Sequence, residues 1–282
     1  MLTNSLDECT REGLIDHHER ADSELDCVRL RDLADPNNAH SWLWALSSAQ
    51  GPTIDDDCEF IEAVRVRLGA GGPPDVAVCG LCGRAQLDTA GGHASCCSLG
   101  EATAGHNAIR DCLFRYASEA DPATEWEPQD LVSSRPRARP ADVLTPAAFP
   151  GRVAALDVGV VSPAAHPGTD AADAMYSRKT EEREPIRCEL ERQNIVYKPI
   201  VWTSYGRPHA QATAAMRGIA KRIGRRRGCS ADVVLAPMQQ AVGVCLARRS
   251  ARMSLACRPR IAAAVTGADS GSGGHPFRSC AW

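Results

Sequence analysis

The chain has 282 residues, 44% hydrophobic but only 5% aromatic, which allows one or two domains and requires a core built largely from Ala, Val and Leu. A formal charge of −3 conceals an acidic front and a basic back: residues 1–63 carry fifteen acidic and four basic side chains, leaving 20 acidic against 28 basic in the rest. The first residues lack the basic start and apolar run of a signal peptide, and no stretch approaches the ~20 apolar residues of a membrane span, so a soluble, intracellular protein with no membrane partner is expected. The thirteen cysteines are an odd number in a chain too large for a small secreted scaffold, and they read as thiols and metal ligands rather than a disulfide framework.

Taken in order, residues 1–37 are polar and acidic with no sustained apolar stripe, a disordered or loosely helical lead-in. His40 to Leu46 is apolar enough to pack, and Gly51-Pro52 ends it. Asp55 is placed to cap a helix that carries Phe60, Ile61, Val64 and Leu68 at helical spacing, with Gly69 at its stop. Gly71-Gly72-Pro73-Pro74 breaks the chain before a cysteine cluster at 79–97. Asn107 to Ala117 puts Ile109, Cys112, Leu113 and Tyr116 on one helical face. Residues 128–140, rich in Pro and Arg, are expected to be extended, and Val153 to Val161 reads as a strand interrupted by one acid, Asp157.

After a loop at 163–168, Asp170 to about Arg183 reads as helix, with Pro185 starting a second helical piece. Ile195 to Thr203 is β-branched and aromatic, which predicts a strand. Gln211 to Arg227 is an amphipathic helix with Met216, Ile219, Ala220 and Ile223 along one side and Arg217, Lys221, Arg222 and Arg225 on the rest. A helix from about 231 to Leu246 precedes a patternless tail. From 107 onward the order helix, strand, helix, strand, helix argues for an α/β layer.

Two groups of residues carry chemistry. Zinc takes four soft or borderline ligands in a tetrahedron, and a CxxC turn provides two thiolates from one tight loop. Cys79-Gly80-Leu81-Cys82 has that form, and His93 with a thiol from Cys96 or Cys97 completes a set compact enough for one ion. Four protein ligands leave no open position, so this zinc is expected to be structural. Metal-dependent phosphodiester cleavage instead needs carboxylates to hold Mg²⁺ and a lysine near the attacking water. Asp142 and Asp157 supply two acids, and an acid within an apolar strand is costly unless paired or metal-bound. Lys179 follows on the next helix, in line with Ala172 and Tyr176. Between Arg217 and Arg227 six basic residues and no acids, together with Arg207, offer contacts to phosphates, which carry no base specificity.

Cys79-Gly80-Leu81-Cys82, Leu87-Asp88, Gly92-His93, Cys97 and then His106-Asn107-Ala108-Ile109-Arg110-Asp111 follow an order that resembles the zinc knuckle and restriction-endonuclease-like region at the carboxyl end of site-specific non-LTR retrotransposon proteins. Arg139-Pro140-Ala141-Asp142 and Leu156-Asp157-Val158 look like the two acidic motifs of that family, and Lys198 to His209 resembles the strand and turn that close its core. The likeness covers roughly residues 38–250. It implies zinc on Cys79, Cys82, His93 and Cys97, Mg²⁺ on Asp142 and Asp157, and Lys179 as the lysine this family carries on the helix after the second acid. The sequence departs from the pattern in three places. Gly159 stands where the wider superfamily has its lysine, Gly105 stands where an arginine is usual, and Pro185 interrupts the helix after Lys179.

The organisation expected is an acidic lead-in (1–37), a helical linker (38–75), a zinc knuckle (76–105), a restriction-endonuclease-like α/β domain (106–230), and a helix with a disordered tail (231–282). The resemblance implies a Mg²⁺-dependent DNA endonuclease of nuclear location, with DNA and also RNA as partners and no small-molecule substrate. Too little chain lies upstream for a polymerase, so a fragment or domesticated remnant is expected. The alternatives are a zinc-containing DNA-binding remnant that has lost catalysis and a non-functional retroelement fragment.

Overall fold

The computed structural model describes residues 10, 12–17, 19, 23–37, 40–45, 51–72, 77–97, 100–133, 135, 137–166 and 168–258. A four-stranded sheet of order β3-β4-β5-β6 lies at the centre, with β3 spanning Glu125–Trp126, β4 Val143–Phe149, β5 Arg152–Val161 and β6 Ile195–Thr203. β4 and β5 pair antiparallel, while β5 and β6 run parallel from Val153↔Ile195 to Val161↔Thr203. The parallel pair needs a crossover, which the helix α5 (Ala171–Arg192) supplies. The chain is therefore mixed α/β, as its element order predicts.

Helices cover both faces of the sheet, which is why β5 is an apolar run rather than an alternation. On one face Ala154, Leu156 and Val158 pack with α4 (Glu101–Ala120), α6 (Ala210–Arg227) and α7 (Ala231–Cys257). On the other, Ala155 and Val161 meet Ile186, Leu190, Ala171 and Ala172 of α5. Ile109, Leu113, Ile219 and Ile223 are fully buried, each worth about 1.5–3 kcal/mol relative to exposure. Glycine brings α6 close to the sheet, because a Cβ on Gly218 would lie 1.9 Å from the Ala148 carbonyl oxygen.

Strand β6 and helix α6 lie where the sequence predicts, but several other elements differ. β4 escapes the pattern because Thr-Pro-Ala-Ala has little strand propensity, and its register shifts between Thr145 and Phe149. Pro185 does not divide α5; it is exposed, as is Glu181 four residues back, so the carbonyl that loses its partner can be hydrated. α4 starts at Glu101, ahead of the expected boundary at 106. α7 continues past Leu246 to Cys257, and Val234, Leu235, Met238 and Val242 belong to the main core, so this helix is part of the domain and not of a tail. Residues 259–282 lie outside the described residues.

The acidic front also holds structure. Helix α1 (Glu24–Ala34) buries Cys27, Arg29 and Asp32, and ionic contacts dock it: Arg29 donates to the Arg67 carbonyl at 2.9 Å and Asp32 pairs with Arg207 at 2.5 Å. Its polar sequence conceals this because charge, not an apolar stripe, makes the interface. Charge adds to apolar contact in α2 (Asp57–Arg67), which Asp56 rather than Asp55 caps through the Glu59 N–H. Phe60, Ile61 and Leu68, expected to face inward, are exposed. The face turned to α7 carries Ala63 and, of the expected apolar positions, Val64, which pack with Val244, Ala247 and Ala251, and beside them Glu59, paired with Arg248 and Arg252, and the buried Glu62, which accepts from Ser254 at 2.6 Å and pairs with Arg258. Among the described cysteines, Cys58 is the one in a disulfide, and the others are free thiols.

Candidate functional site

The knuckle begins with a short hairpin, β1 (Ala77–Val78) paired to β2 (Gln86–Leu87), followed by the one-turn helix α3 (Gly92–Cys96). Gly83 at φ +64° and Gly91 at φ +79° make turns that other residues resist. The ligand atoms of Cys79, Cys82, His93 and Cys97 all lie within 4.8 Å of one another, and among the described residues this is the one group of three or more His, Cys, Asp or Glu compact enough to share an ion. Cys79 Sγ stands 4.0 Å from Cys97 Sγ, and Cys82 Sγ stands 3.5 Å from His93 Nε2. A tetrahedral zinc with its usual bond lengths separates its ligands by about 3.6–3.8 Å, so this donor set fits a metal such as zinc.

The rivalry between Cys96 and Cys97 is decided by where each side chain points. Cys97 is buried in the cluster, whereas Cys96 is exposed. Asp88 holds the second half of the knuckle in place, its carboxylate accepting from the N–H groups of Gly92 at 2.8 Å and His93 at 2.9 Å. Burial pushes the Cys79 thiol up, but the N–H groups of Cys82 and Leu81 and the His93 ring outweigh it and bring it down to about 6. A thiolate there is the form a metal binds. Cys257, fully buried at the end of α7, joins the same cluster, and its carbonyl accepts from the Gly80 N–H at 2.8 Å.

The acidic pair lies on adjoining strands. Asp142 immediately precedes β4, with its N–H donating to the Leu156 carbonyl at 2.9 Å and its carboxylate accepting from the Val158 N–H at 2.6 Å, so its side chain prolongs the β4–β5 ladder. Asp157 points to the α5 face, where Lys179 donates to it at 2.8 Å and Tyr197 donates to its other oxygen. His106 Nε2 of α4 stands 3.2 Å from Asp142. Burial works against ionisation of Asp142, but His106, the Val158 N–H and Lys179 outweigh it and hold its carboxyl below the ordinary value. Lys179 thus contacts Asp157 directly and acts on Asp142 through its charge, which brings three residues distant in sequence into one neighbourhood.

Gly159 makes the meeting with Lys179 geometrically feasible. A Cβ there would lie 3.0 Å from Lys179 Cε and 2.8 Å from Met175 Sδ. The position that lacks a lysine is the space through which a lysine from α5 passes. Beside this network opens a cleft of about 500 Å³ between the knuckle, the start of α4, the end of β5 and α5. Ser95 of α3 and Ser162 beyond β5 touch at 2.5 Å, joining the knuckle to the cleft wall.

The basic residues divide. Arg207 is not free for phosphate, because Asp32 and Asp170 engage it, at 2.5 and 2.9 Å. Arg222 pairs with Asp121 at 2.5 Å. Arg217, Lys221 and Arg225 are exposed on α6. Sequence reasoning missed His106, Tyr197 and Cys257 as members of these clusters. His106 sits within a quoted motif and so was within reach, while Cys257 and Tyr197 carry no local signal. No protein-family model and no curated protein matches this chain.

Proposed function

We propose that the chain is a metal-dependent DNA endonuclease of retrotransposon origin with a restriction-endonuclease-like core, hydrolysing a phosphodiester bond. The observation that carries this reading is the contact of Lys179 with Asp157 over Gly159, with Asp142 one strand away. Carboxylate oxygens are the donors that Mg²⁺ takes, so Asp142 and Asp157 would hold it, and when bound it supplies stabilisation of charge on a phosphate. Lys179 is the ammonium in reach of a water attacking at that point, and His106 and Tyr197 keep the two carboxylates oriented. Zinc is the ion that best suits three thiols and an imidazole, and with four protein ligands its role is structural. DNA in the nucleus is the partner, met through phosphates, with RNA as a second polymer of the same backbone chemistry.

The test is incubation of the purified protein with supercoiled and branched DNA in Mg²⁺ beside Asp157→Ala. Nicking by the wild type and its loss in the variant is expected; equal nicking by both would overturn the assignment.

A second reading, a DNA-binding remnant without catalysis, is favoured by the saturation of both acids. Lys179 and Tyr197 occupy Asp157, and His106 and the Val158 N–H occupy Asp142, a network complete without an ion. DNA binding with no nicking in either Mg²⁺ or Mn²⁺ would select it.

A further inference from the structure

The cleft beside the acidic pair contains a buried cation that the proposed chemistry does not use. Arg249 of α7 is only 7% exposed, yet its Nε and Nη1 have no hydrogen-bond partner among the described residues. Its side chain lines the cleft together with His106, His166, Arg178 and Lys179, and no acid is part of that lining. His106 and Lys179 are engaged by Asp142 and Asp157, and Arg178 by Glu182 at 2.9 Å. Arg249 has no such counter-ion among the described residues. Burial depresses its guanidinium to about 10, with Cys96 the one neighbour acting the other way. A buried charge without a partner opposes folding unless something else supplies the partner.

The position is built for this side chain. Gly105 of α4 leaves the space its stem occupies, since a Cβ there would lie 2.4 Å from Arg249 Cγ and 2.6 Å from Arg249 Cβ. The first turn of the 20-residue α4 opens on the same cleft through Ala102 and Thr103, and its N-cap, Gly100, offers no side-chain cap. The N–H groups of an uncapped first turn favour an anion. A guanidinium attracts phosphate oxygens by its charge and its N–H donors; Nε and Nη1 of Arg249 are themselves closed to solvent, so an anion meets this side chain from the cleft side.

We propose that this cleft is a phosphate site, in which Arg249 and the amino end of α4 hold a backbone phosphodiester of the DNA next to the bond that Lys179 and Asp157 address. The choice of a DNA phosphate rests on the endonuclease reading; the anion site itself rests on Arg249.

The test uses the full chain with its zinc and compares wild type, Arg249→Met and Arg249→Lys without Mg²⁺, by fluorescence anisotropy on a labelled duplex across a salt series. Arg249→Met should weaken binding about tenfold and reduce the salt slope by about one, the share of a single phosphate, with Arg249→Lys restoring part of it. The melting temperature of Arg249→Met should equal or exceed that of wild type, because a lone buried charge has been removed. Millimolar inorganic phosphate should raise the melting temperature of wild type and leave that of Arg249→Met unmoved. Unchanged duplex affinity in Arg249→Met would overturn the proposal, as would affinity lost together with melting temperature, which would make Arg249 structural. A phosphate-dependent melting shift with no change in duplex binding would also overturn it, in favour of a small phosphorylated ligand. Nicking by Asp157→Ala is scored separately: if it equals wild type the endonuclease reading fails, and the phosphate site is still decided by the Arg249 binding data.

Discussion

Lys179 reaches Asp157 through the space that Gly159 leaves by having no side chain. Replacing Gly159 with Ala brings a methyl group against Lys179 Cε and Met175 Sδ. Overpacking of this kind costs about 1–3 kcal/mol, so the fold should survive with a lowered melting temperature. Nicking should fall by about tenfold or more, since small displacements of a reacting group are costly. Retained nicking in Gly159→Ala, measured beside its melting curve, would separate Lys179 from the chemistry.

The proposed zinc site should discriminate between neighbouring thiols. Cys97→Ser should lose zinc and Cys96→Ser should keep it, because one side chain faces the cluster and the other solvent. Zinc content of the purified variants checks this directly. Chelation should lower the melting temperature of wild type, as metal binding free energy is folding free energy in such sites.

Acid titrates the network around Asp142. Its carboxyl is held below the ordinary value despite burial, by His106, the Val158 N–H and Lys179. A depressed folded value means that the folded chain favours the ionised form, so this stability is complete above a pH of about 4 and is lost as the pH falls through the lower folded value. Asp142→Asn should therefore cost about 1–3 kcal/mol at neutral pH, and the gap from wild type should close below pH ~4. Urea melts at a series of pH values will show it, and a gap that widens in acid would contradict it.

The arginines should separate into two kinds by salt dependence. Arg207→Ala removes the cation beside Asp32, which is 2% exposed, and should destabilise by about 3 kcal/mol, as breaking a buried pair does. Arg217→Ala, Lys221→Ala and Arg225→Ala should change stability by no more than about 0.5 kcal/mol. Where one of these contacts DNA, its loss should reduce the salt slope of binding by about one. The same anisotropy series reads both.

The parts of the fold that were legible in the sequence are those fixed by periodicity. Met216, Ile219, Ala220 and Ile223 of α6 are all buried, and β6 runs from Ile195 to Thr203 as its β-branched composition predicts. Cys79 and Cys82 were legible because a CxxC turn is a local feature, whereas the choice of Cys97 over Cys96 depends on which thiol the fold turns inward. What stayed hidden depends on charge or on distance along the chain. The inward face of α2 is marked by Glu62, not by Phe60, because its partners are Ser254 and Arg258 almost two hundred residues away. Gly159 and Gly105 read as gaps in a motif, and only the packed structure reveals which side chains from other helices occupy them.

α7 has a consequence for how the molecule responds as a whole. Twenty-seven residues at 1.5 Å each make a rod of about 40 Å. Along it, Val242 meets the sheet core, Ala247 and Ala251 meet Trp42, Arg249 enters the cleft, and Cys257 ends among the knuckle thiols. A rotation of this rod by a fraction of a turn would move the cleft arginine and the knuckle contact together. Arg249 and Cys257 lie eight residues apart on this one helix, so the cleft wall and the thiol cluster are fastened to a single piece of backbone.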